Sequence, residues 1–411
     1  MPYYIGGLVD DADSLIARSP EAFREQGIDV RTRHEVEEID AERRTVLVRD
    51  LGTRERSTEP YDNLVIATGA EPAVPDLPGI QAGGIFKMSW MHDMLALDQY
   101  LVEHQCRRAV IVGGGYIGIE MAEALLLREL ETTLIHSRRA VMPSLDEDLG
   151  LLINGTLTDE GVNLITSQRA VGFEARDGRV TAVRTEEASY PADIVILCLG
   201  TRPRSDLASA AGVPVGPSGG IIVNDRMMTA KDGICAAGDC TEMRHLVTGE
   251  QVSVALGTIA NKQGRICGIN LAGGDASFPG ILGTAITRFC DLEIARTGLN
   301  ERQLIRRNID YVAGKIESST RSGYFPGSSS ITVKVTAERE TGKLLGGQIV
   351  GGPGAGKRID TLATALFSGL TLTDLEYLDL SYAPPFSPVW DPVQIAARIG
   401  ARQVGSPKTA I

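Results

Sequence analysis

Residues 108–139 read RAVIVGGGYIGIEMAEALLLRELETTLIHSRR. Ala109-Val110-Ile111-Val112 is apolar throughout, as expected of a parallel strand covered on both faces. Gly113-Gly114-Gly115-Tyr116-Ile117-Gly118 follows, and then a helix to about residue 130 with Ile117, Met121 and Leu125 on one stripe. Thr132 to Ile135 is a second strand. A lone G-x-G-x-x-G is a weak signal, but strand, glycine turn, helix and strand in this order form the βαβ unit that a dinucleotide requires. Gly113 permits the tight turn, Gly115 lets the backbone approach a pyrophosphate, and Gly118 permits close packing of helix on strand. The free N–H groups and positive dipole end of the helix receive the phosphates.

The end of the second strand bears on which nicotinamide cofactor is preferred. An acidic residue there accepts hydrogen bonds from a ribose 2′-hydroxyl. This chain has His136-Ser137-Arg138-Arg139 instead, with no carboxylate to repel a 2′-phosphate. His136 and Arg138 are expected to form charge-assisted bonds to it. NADPH is therefore expected in preference to NADH.

Working outward, Thr45–Asp50 and residues 63–68 read as strands, the second ending in Ala67-Thr68-Gly69. The proline-rich residues 71–78 read as a connection between domains. A helical pattern spans residues 89–104. Beyond the βαβ unit, strands are expected at 180–183, at 194–199 running into Gly200, at 221–223, and at 234–236 running into Gly238-Asp239, with a helix at 255–270. From residue 280 the texture changes to alternating strands at 331–335 and 343–350, then helices at 360–369 and 374–380. That pattern suggests a separate α+β domain.

The expected fold class is α/β, and residues 401–411 read as a frayed tail.

A chain of 411 residues is long enough for two or three cores. A net charge of −12 argues against a general nucleic-acid or membrane-surface role. No apolar run approaches membrane-spanning length and residues 1–14 carry no signal-peptide pattern, so the cytoplasm is expected. The six cysteines, Cys106, Cys198, Cys235, Cys240, Cys267 and Cys290, show neither CxxC spacing nor metal-type pairing with the five histidines. They read as buried free thiols, with Cys235 and Cys240 pointing apart, and no metal is expected.

The same residues resemble the pyridine nucleotide–disulfide oxidoreductase family over nearly the whole chain. Residues 61–79 (YDNLVIATGAEPAVPDLPG) look like its segment crossing between FAD and NAD domains, and residues 113–120 (GGGYIGIE) like its second nucleotide fingerprint. Residues 234–240 (ICAAGDC) resemble its late flavin motif, which implies that Asp239 meets a ribityl hydroxyl. Ala67, Thr68, Gly69, Gly200 and Gly238 are the accompanying cofactor positions. Tyr116 matches the family's aromatic gate where nicotinamide stacks, and Glu120 is expected to orient the nicotinamide or a neighbouring lysine. The His136/Arg138 pair is similar to that of NADPH-using thioredoxin reductases. The resemblance implies two Rossmann-like three-layer nucleotide-binding domains, the first incomplete, plus a C-terminal α+β dimerisation domain. The expected bounds are 1–105 and 204–278 for the first nucleotide-binding domain, 106–203 for the second, and 279–400 for dimerisation, with 401–411 as the tail.

Within the family, residues 2–7, 256–265, 282–301 and 382–392 look most like coenzyme A disulfide reductases and the related NADH oxidase, peroxidase and persulfide reductase group. That likeness implies a homodimer whose partner subunit brings two tyrosines near the sulfur chemistry. Tyr324, in SGYFPG, and Tyr382, in SYAPPF, match those positions. It further implies an FAD-dependent enzyme passing hydride from NADPH or NADH through flavin to a small disulfide or persulfide such as that of coenzyme A. The alternatives are an oxidase or peroxidase, or a non-catalytic NAD(P)-binding form. A family member opens with its own strand, glycine turn and helix, followed by a redox cysteine in a segment like C-G-L-P-Y-Y. Here Met1 falls at the leucine position, so a start upstream of Met1 is expected. The fused sulfurtransferase domain of some persulfide reductases is not expected.

Overall fold

The computed structural model describes residues 1–406 and divides into two compact units. The first comprises Met1–Leu8, Val74–Gly200 and the described residues from Leu282 onward; the second comprises Val9–Ala73 and Thr201–Ile281.

The first unit contains a five-stranded parallel sheet in the order Ile85–Lys87, Ile194–Leu197, Arg108–Val112, Glu131–Ile135, Asn163–Ile165. Its central strands are apolar because helices and a hairpin cover both faces. Val110, Ile111, Ile194 and Val195 have no solvent-accessible surface. The chain leaves the 108–112 strand toward the 131–135 strand on one side and later returns to the other side with 194–197. The carboxyl ends of 108–112 and 194–197 therefore flank a topological switch point, where open α/β sheets bind ligands. The sheet takes in Ile85–Lys87, upstream of the 105/106 boundary read from the sequence.

The same unit carries a five-stranded antiparallel sheet in the order Ala285–Phe289, Leu292–Gly298, Leu344–Gly351, Ser330–Glu338, Tyr311–Ser319. Helices Ile359–Phe367 and Pro392–Ala401 pack on it. The opening residues also belong here. Pro2–Ile5 forms one helical turn against the Tyr116–Leu127 helix, with Ile5 fully buried and its carbonyl accepting from Arg128 Nε at 2.5 Å.

In the second unit Leu64–Ile66 pairs in parallel with Ile234–Ala236. An antiparallel sheet of His34–Asp40, Thr45–Asp50 and Arg56–Pro60 accompanies it. Ile66, Met227, Ile234, Ala236, Cys240 and Cys267 form its core with helix Gly257–Leu271. The segment expected to be a bare connection is partly paired: Ala70–Pro72 runs antiparallel to Thr201–Pro203, and Arg202 meets Glu71. The proline at the strand end leaves the remaining backbone groups free for these bonds.

Most expected strands and helices are present, with ends shifted by a few residues. The strands His34–Asp40, Ala285–Phe289, Leu292–Gly298 and Tyr311–Ser319 and the helices Glu147–Asp159 and Pro392–Ala401 are additional. The expected tail lies, from residue 407, outside the described residues.

Candidate functional site

The glycine turn is built as its sequence implies. Gly113 has φ +113°, and a Cβ there would lie 2.2 Å from the carbonyl oxygen of Cys198, at the end of the neighbouring strand. At Gly118 a Cβ would lie 1.9 Å from the Gly113 oxygen, so helix and turn touch backbone to backbone. Gly115 differs: it is the N-cap of the helix, and a Cβ there would meet nothing within 4 Å. No side chain caps this end. The first N–H groups of the helix thus face a space that a Cβ would fill, which is the cradle a pyrophosphate needs. Gly200, with φ +95°, closes the strand next to it.

His136 takes a different part from the charged phosphate donor expected of it. The ring is buried, and Nδ1 accepts the Gly114 N–H at 3.2 Å. Burial, followed by the nearby Arg138 charge, lowers its pKa below the ordinary value of 6.5. The imidazole is therefore a neutral brace for the glycine turn, with its proton on Nε2. Arg138 stays exposed and has no ion pair among the described residues. Arg139 pairs with Glu147 at 3.0 Å.

Tyr116, at the helix start, is half-buried and accepts a hydrogen bond from Ser144 Oγ at 3.4 Å; burial raises its phenol pKa. One turn on, Glu120 Oε1 accepts from the Thr287 hydroxyl at 2.7 Å rather than meeting a lysine. Three residues further, Glu123 is buried and pairs with Arg288 at 3.2 Å. Burial nonetheless raises its pKa above the ordinary carboxylate value. Arg288 also lies 5.8 Å from the ring centre of Tyr3, whose phenol is pushed up by burial and then by the Glu120 charge. Tyr3, Glu120, Glu123, Thr287 and Arg288 thus form one polar cluster on the 116–127 helix. The E-x-x-E spacing puts both carboxylates on one helix face. Their partners lie some 165 residues away in sequence, so no local pattern revealed the cluster.

In the second unit, Gly238-Asp239 follows the 234–236 strand. Gly238 N–H donates to Gln263 Oε1 at 2.6 Å, and Gly238 has φ +89°. Asp239 Oδ1 is buried without a hydrogen-bond partner among the described residues, and desolvation raises its pKa. Across the sheet, Thr68 Oγ1 donates to the Arg204 carbonyl and Gly69 O accepts the Arg204 N–H at 2.9 Å. Ala67 is exposed beside them. Thr68, Val36 and Arg204 line a cavity of about 450 Å³.

Tyr324 and Tyr382 lie in loops of the antiparallel-sheet domain, 79% and 46% exposed. Their loops are held together from below. Ser322 N–H donates to Pro384 O at 3.2 Å, and Arg358 Nη2 donates to Thr320 O at 2.8 Å and Phe386 O at 2.9 Å. Arg358 Nε also pairs with Asp391 at 2.8 Å. Phe386, Val389 and Trp390 of the same loop region are exposed as well.

Two sequence-family models match consecutively. Pyridine nucleotide-disulphide oxidoreductase covers residues 7–264, and the dimerisation domain of the same family covers residues 284–392. The chain belongs to the pyridine nucleotide-disulphide oxidoreductase family. It is 40% identical over 401 residues to the NAD(P)H coenzyme A polysulfide/persulfide reductase of Pyrococcus horikoshii, covering 97% of this chain and 88% of that one. It is similar to the structure of reduced CoADR-RHD of Bacillus anthracis, with 34% identity and a TM-score of 0.95 over 98% of this chain and 72% of that one. An engineered water-forming NADPH oxidase, made from the Lactobacillus brevis NADH oxidase and bound to NADPH, matches at 29% identity and a TM-score of 0.92, over 98% of this chain and 89% of that one.

The chain is accordingly an FAD-dependent NAD(P)H oxidoreductase with the family's dimerisation domain. The family's cofactors fit what the chain presents: the open cradle at Gly115 suits a dinucleotide, and the orphaned Asp239 Oδ1 suits a flavin hydroxyl. All six thiols are free, and burial pushes each above the ordinary range, Cys198 to about 12 and Cys235 and Cys290 to about 11. Cys235, Cys240 and Cys267 are buried as expected, whereas Cys106, Cys198 and Cys290 are half-buried. Cys235 Sγ faces Met228 and Cys240 Sγ faces Ile66 O, so those two do point apart. Burial that favours the protonated thiol disfavours nucleophilic attack. No helix among the described residues is long and apolar enough to cross a membrane.

Proposed function

We propose that this oxidoreductase reduces a small thiol disulfide or persulfide, with coenzyme A as the thiol, using NADPH in preference to NADH. The observation that carries the reading is the clamped pair of exposed tyrosines. A family dimerisation domain that exposes two phenols on a base fixed by Arg358 and Asp391 is built to serve a site outside its own fold. Tyr324 and Tyr382 would stand in the facing protomer's site. There their hydroxyls would hold a sulfur substrate and deliver a proton to the departing thiolate.

Gly113, Gly115 and Gly118 would carry the pyrophosphate of the nicotinamide cofactor, and Arg138 the 2′-phosphate. Tyr116 would cover the nicotinamide site until the ring enters, and Glu120, fixed by Thr287, would position it. Ala67, Thr68, Gly69, Gly200, Gly238 and Asp239 would line the flavin. Bound flavin supplies hydride acceptance from the nicotinamide and electron transfer onward. The net reaction consumes one NADPH and one proton per disulfide and yields two thiols.

Two relatives support the reading: the Pyrococcus horikoshii protein is named for coenzyme A polysulfide and persulfide, and the NADPH-bound oxidase had an aspartate replaced and two arginines introduced. The test is anaerobic oxidation of NADPH by the purified full chain with coenzyme A disulfide, counting free thiols formed. Two thiols per NADPH are expected. No thiol released anaerobically, with NADPH oxidised to give water or peroxide once oxygen is admitted, would overturn the reading in favour of an oxidase.

A further inference from the structure

Arg138 faces a recess with a second basic wall. The recess, about 340 Å³ in volume, is lined on one side by Arg138 and the loop that follows it, and on the other by Arg302 and Arg306. Those two belong to the short helix Glu301–Arg306 of the dimerisation domain.

Carboxylates are present, but each already has a cation. Glu147 pairs with Arg139 at 3.0 Å. Asp146 and Glu301 both pair with the buried Lys334, at 3.1 and 2.7 Å. The arginines are not matched in this way. Arg138 and Arg306 have no ion pair among the described residues. Arg302 spends Nη2 on the carbonyl of Pro143 at 2.5 Å, and its Nε is buried without a hydrogen-bond partner. Three guanidinium groups thus line one recess whose carboxylates are already engaged with Arg139 and Lys334, which leaves the recess with an excess of positive charge. Planar guanidinium donors in such an arrangement select a phosphate dianion over a neutral hydroxyl.

We propose that Arg306, with Arg302 behind it, completes the pocket for the 2′-phosphate of NADPH, so that the dimerisation domain shares in choosing the cofactor. This rests on the reading that Arg138 meets that phosphate. It adds two residues from a separate domain, some 165 positions further along the chain, that no strand-end motif includes. Arg302, tied to Pro143, holds the loop wall as well as supplying charge. Arg306, exposed on the last turn of its helix, contributes charge alone.

The test is calorimetric titration of the full chain with 2′,5′-ADP, which carries the 2′-phosphate, and with 5′-AMP, which lacks it. Arg306→Ala is expected to weaken 2′,5′-ADP about tenfold, the loss of one charge-assisted contact, and to leave 5′-AMP unchanged. Arg306→Lys is expected to recover part of the loss. Because Arg306 is exposed, an unchanged thermal midpoint should accompany the change. If Arg138→Ala weakens 2′,5′-ADP and Arg306→Ala does not, the proposal is overturned and the role of Arg138 stands. If the wild-type chain binds the two ligands equally, the reading of Arg138 fails and this proposal fails with it.

Discussion

Gly115 and Gly118 are two glycines of one motif, and the structure assigns them opposite liabilities. Gly118→Ala places a methyl group 1.9 Å from the Gly113 oxygen and 3.4 Å from Cys198 Cβ. Backbone cannot rotate away as a flexible side chain can, so the turn must shift. Overpacking of this kind costs about 1–3 kcal/mol, and the displaced turn also loses its phosphate geometry. Gly115→Ala meets no protein atom within 4 Å, and the residue's extended conformation is open to alanine. Its folding cost is the exchange of glycine for alanine at an N-cap, about 1 kcal/mol at most. The methyl group does fill the space the pyrophosphate requires. Loss of one charge-assisted backbone bond there is worth about 2 kcal/mol, or roughly thirtyfold in affinity. The assay is NADPH titration by fluorescence beside thermal unfolding of each variant. Gly118→Ala should lower both affinity and midpoint, whereas Gly115→Ala should lower affinity and leave the midpoint nearly in place. A Gly115→Ala chain that binds NADPH as tightly as the wild type would refute the placement of the pyrophosphate.

Asp239→Leu removes a desolvated carboxylate whose Oδ1 lacks a partner, so the purified variant should lose flavin, read as the ratio of flavin to protein absorbance. Retention of flavin at the wild-type ratio would exclude contact with Asp239. Arg358→Ala breaks a partly buried pair and releases two carbonyls; a cost of about 3 kcal/mol is expected. Hydrogen exchange should rise at 320–327 and 383–391, and disulfide turnover should slow while bleaching of the flavin by NADPH keeps its rate. His136 is held neutral, with its folded-state pKa below 6.5. Its contribution to stability is therefore complete above that pH and is lost as pH falls through the folded value, because the unfolded chain takes up the proton first. The thermal midpoint should drop as pH falls below the ordinary histidine value of 6.5, and less so in His136→Asn; equal slopes would show that His136 does not drive the loss.

Much of the nucleotide-binding part was legible because its signals are local. The apolar run at 109–112, the three glycines and the striped helix lie within one stretch, and Gly113 and Gly118 are each demanded by a backbone carbonyl close by. The strand end was legible only in part. Arg138 is exposed, as a phosphate partner must be, but His136 is turned inward onto Gly114. Sequence alone does not tell a histidine that donates from one that accepts. The same limit applies to Glu120, whose partner is Thr287, and to Glu123, whose partner is Arg288; both pairings depend on how a distant strand is laid against the helix.

That distinction bears on how the site is put together. The glycine turn proposed to receive the pyrophosphate is braced by His136 within its own βαβ unit and by the Cys198 carbonyl of the neighbouring strand. The loop after Arg138 is fixed from elsewhere: Asn300 Nδ2 donates to Ser144 O, the Glu301 N–H donates to Asp146, and Lys334 pairs with Asp146, Asp148 and Glu301 at once. Burial opposes charge on Lys334, yet the three carboxylates raise its pKa above the ordinary lysine value. It is therefore a cation throughout the physiological range, and the loop is tied to the antiparallel sheet by charge as well as by packing. Lys334→Met would leave Asp146 and Glu301 without their cation, while Asp148 keeps Lys315, with a cost of about 3–5 kcal/mol. The wall of the recess would loosen at the same time. Lys334→Met should then lower the thermal midpoint and weaken 2′,5′-ADP more than 5′-AMP, although Lys334 itself need not touch either. Equal weakening of the two ligands would show that the loop positions the dinucleotide as a whole and not its 2′-phosphate end.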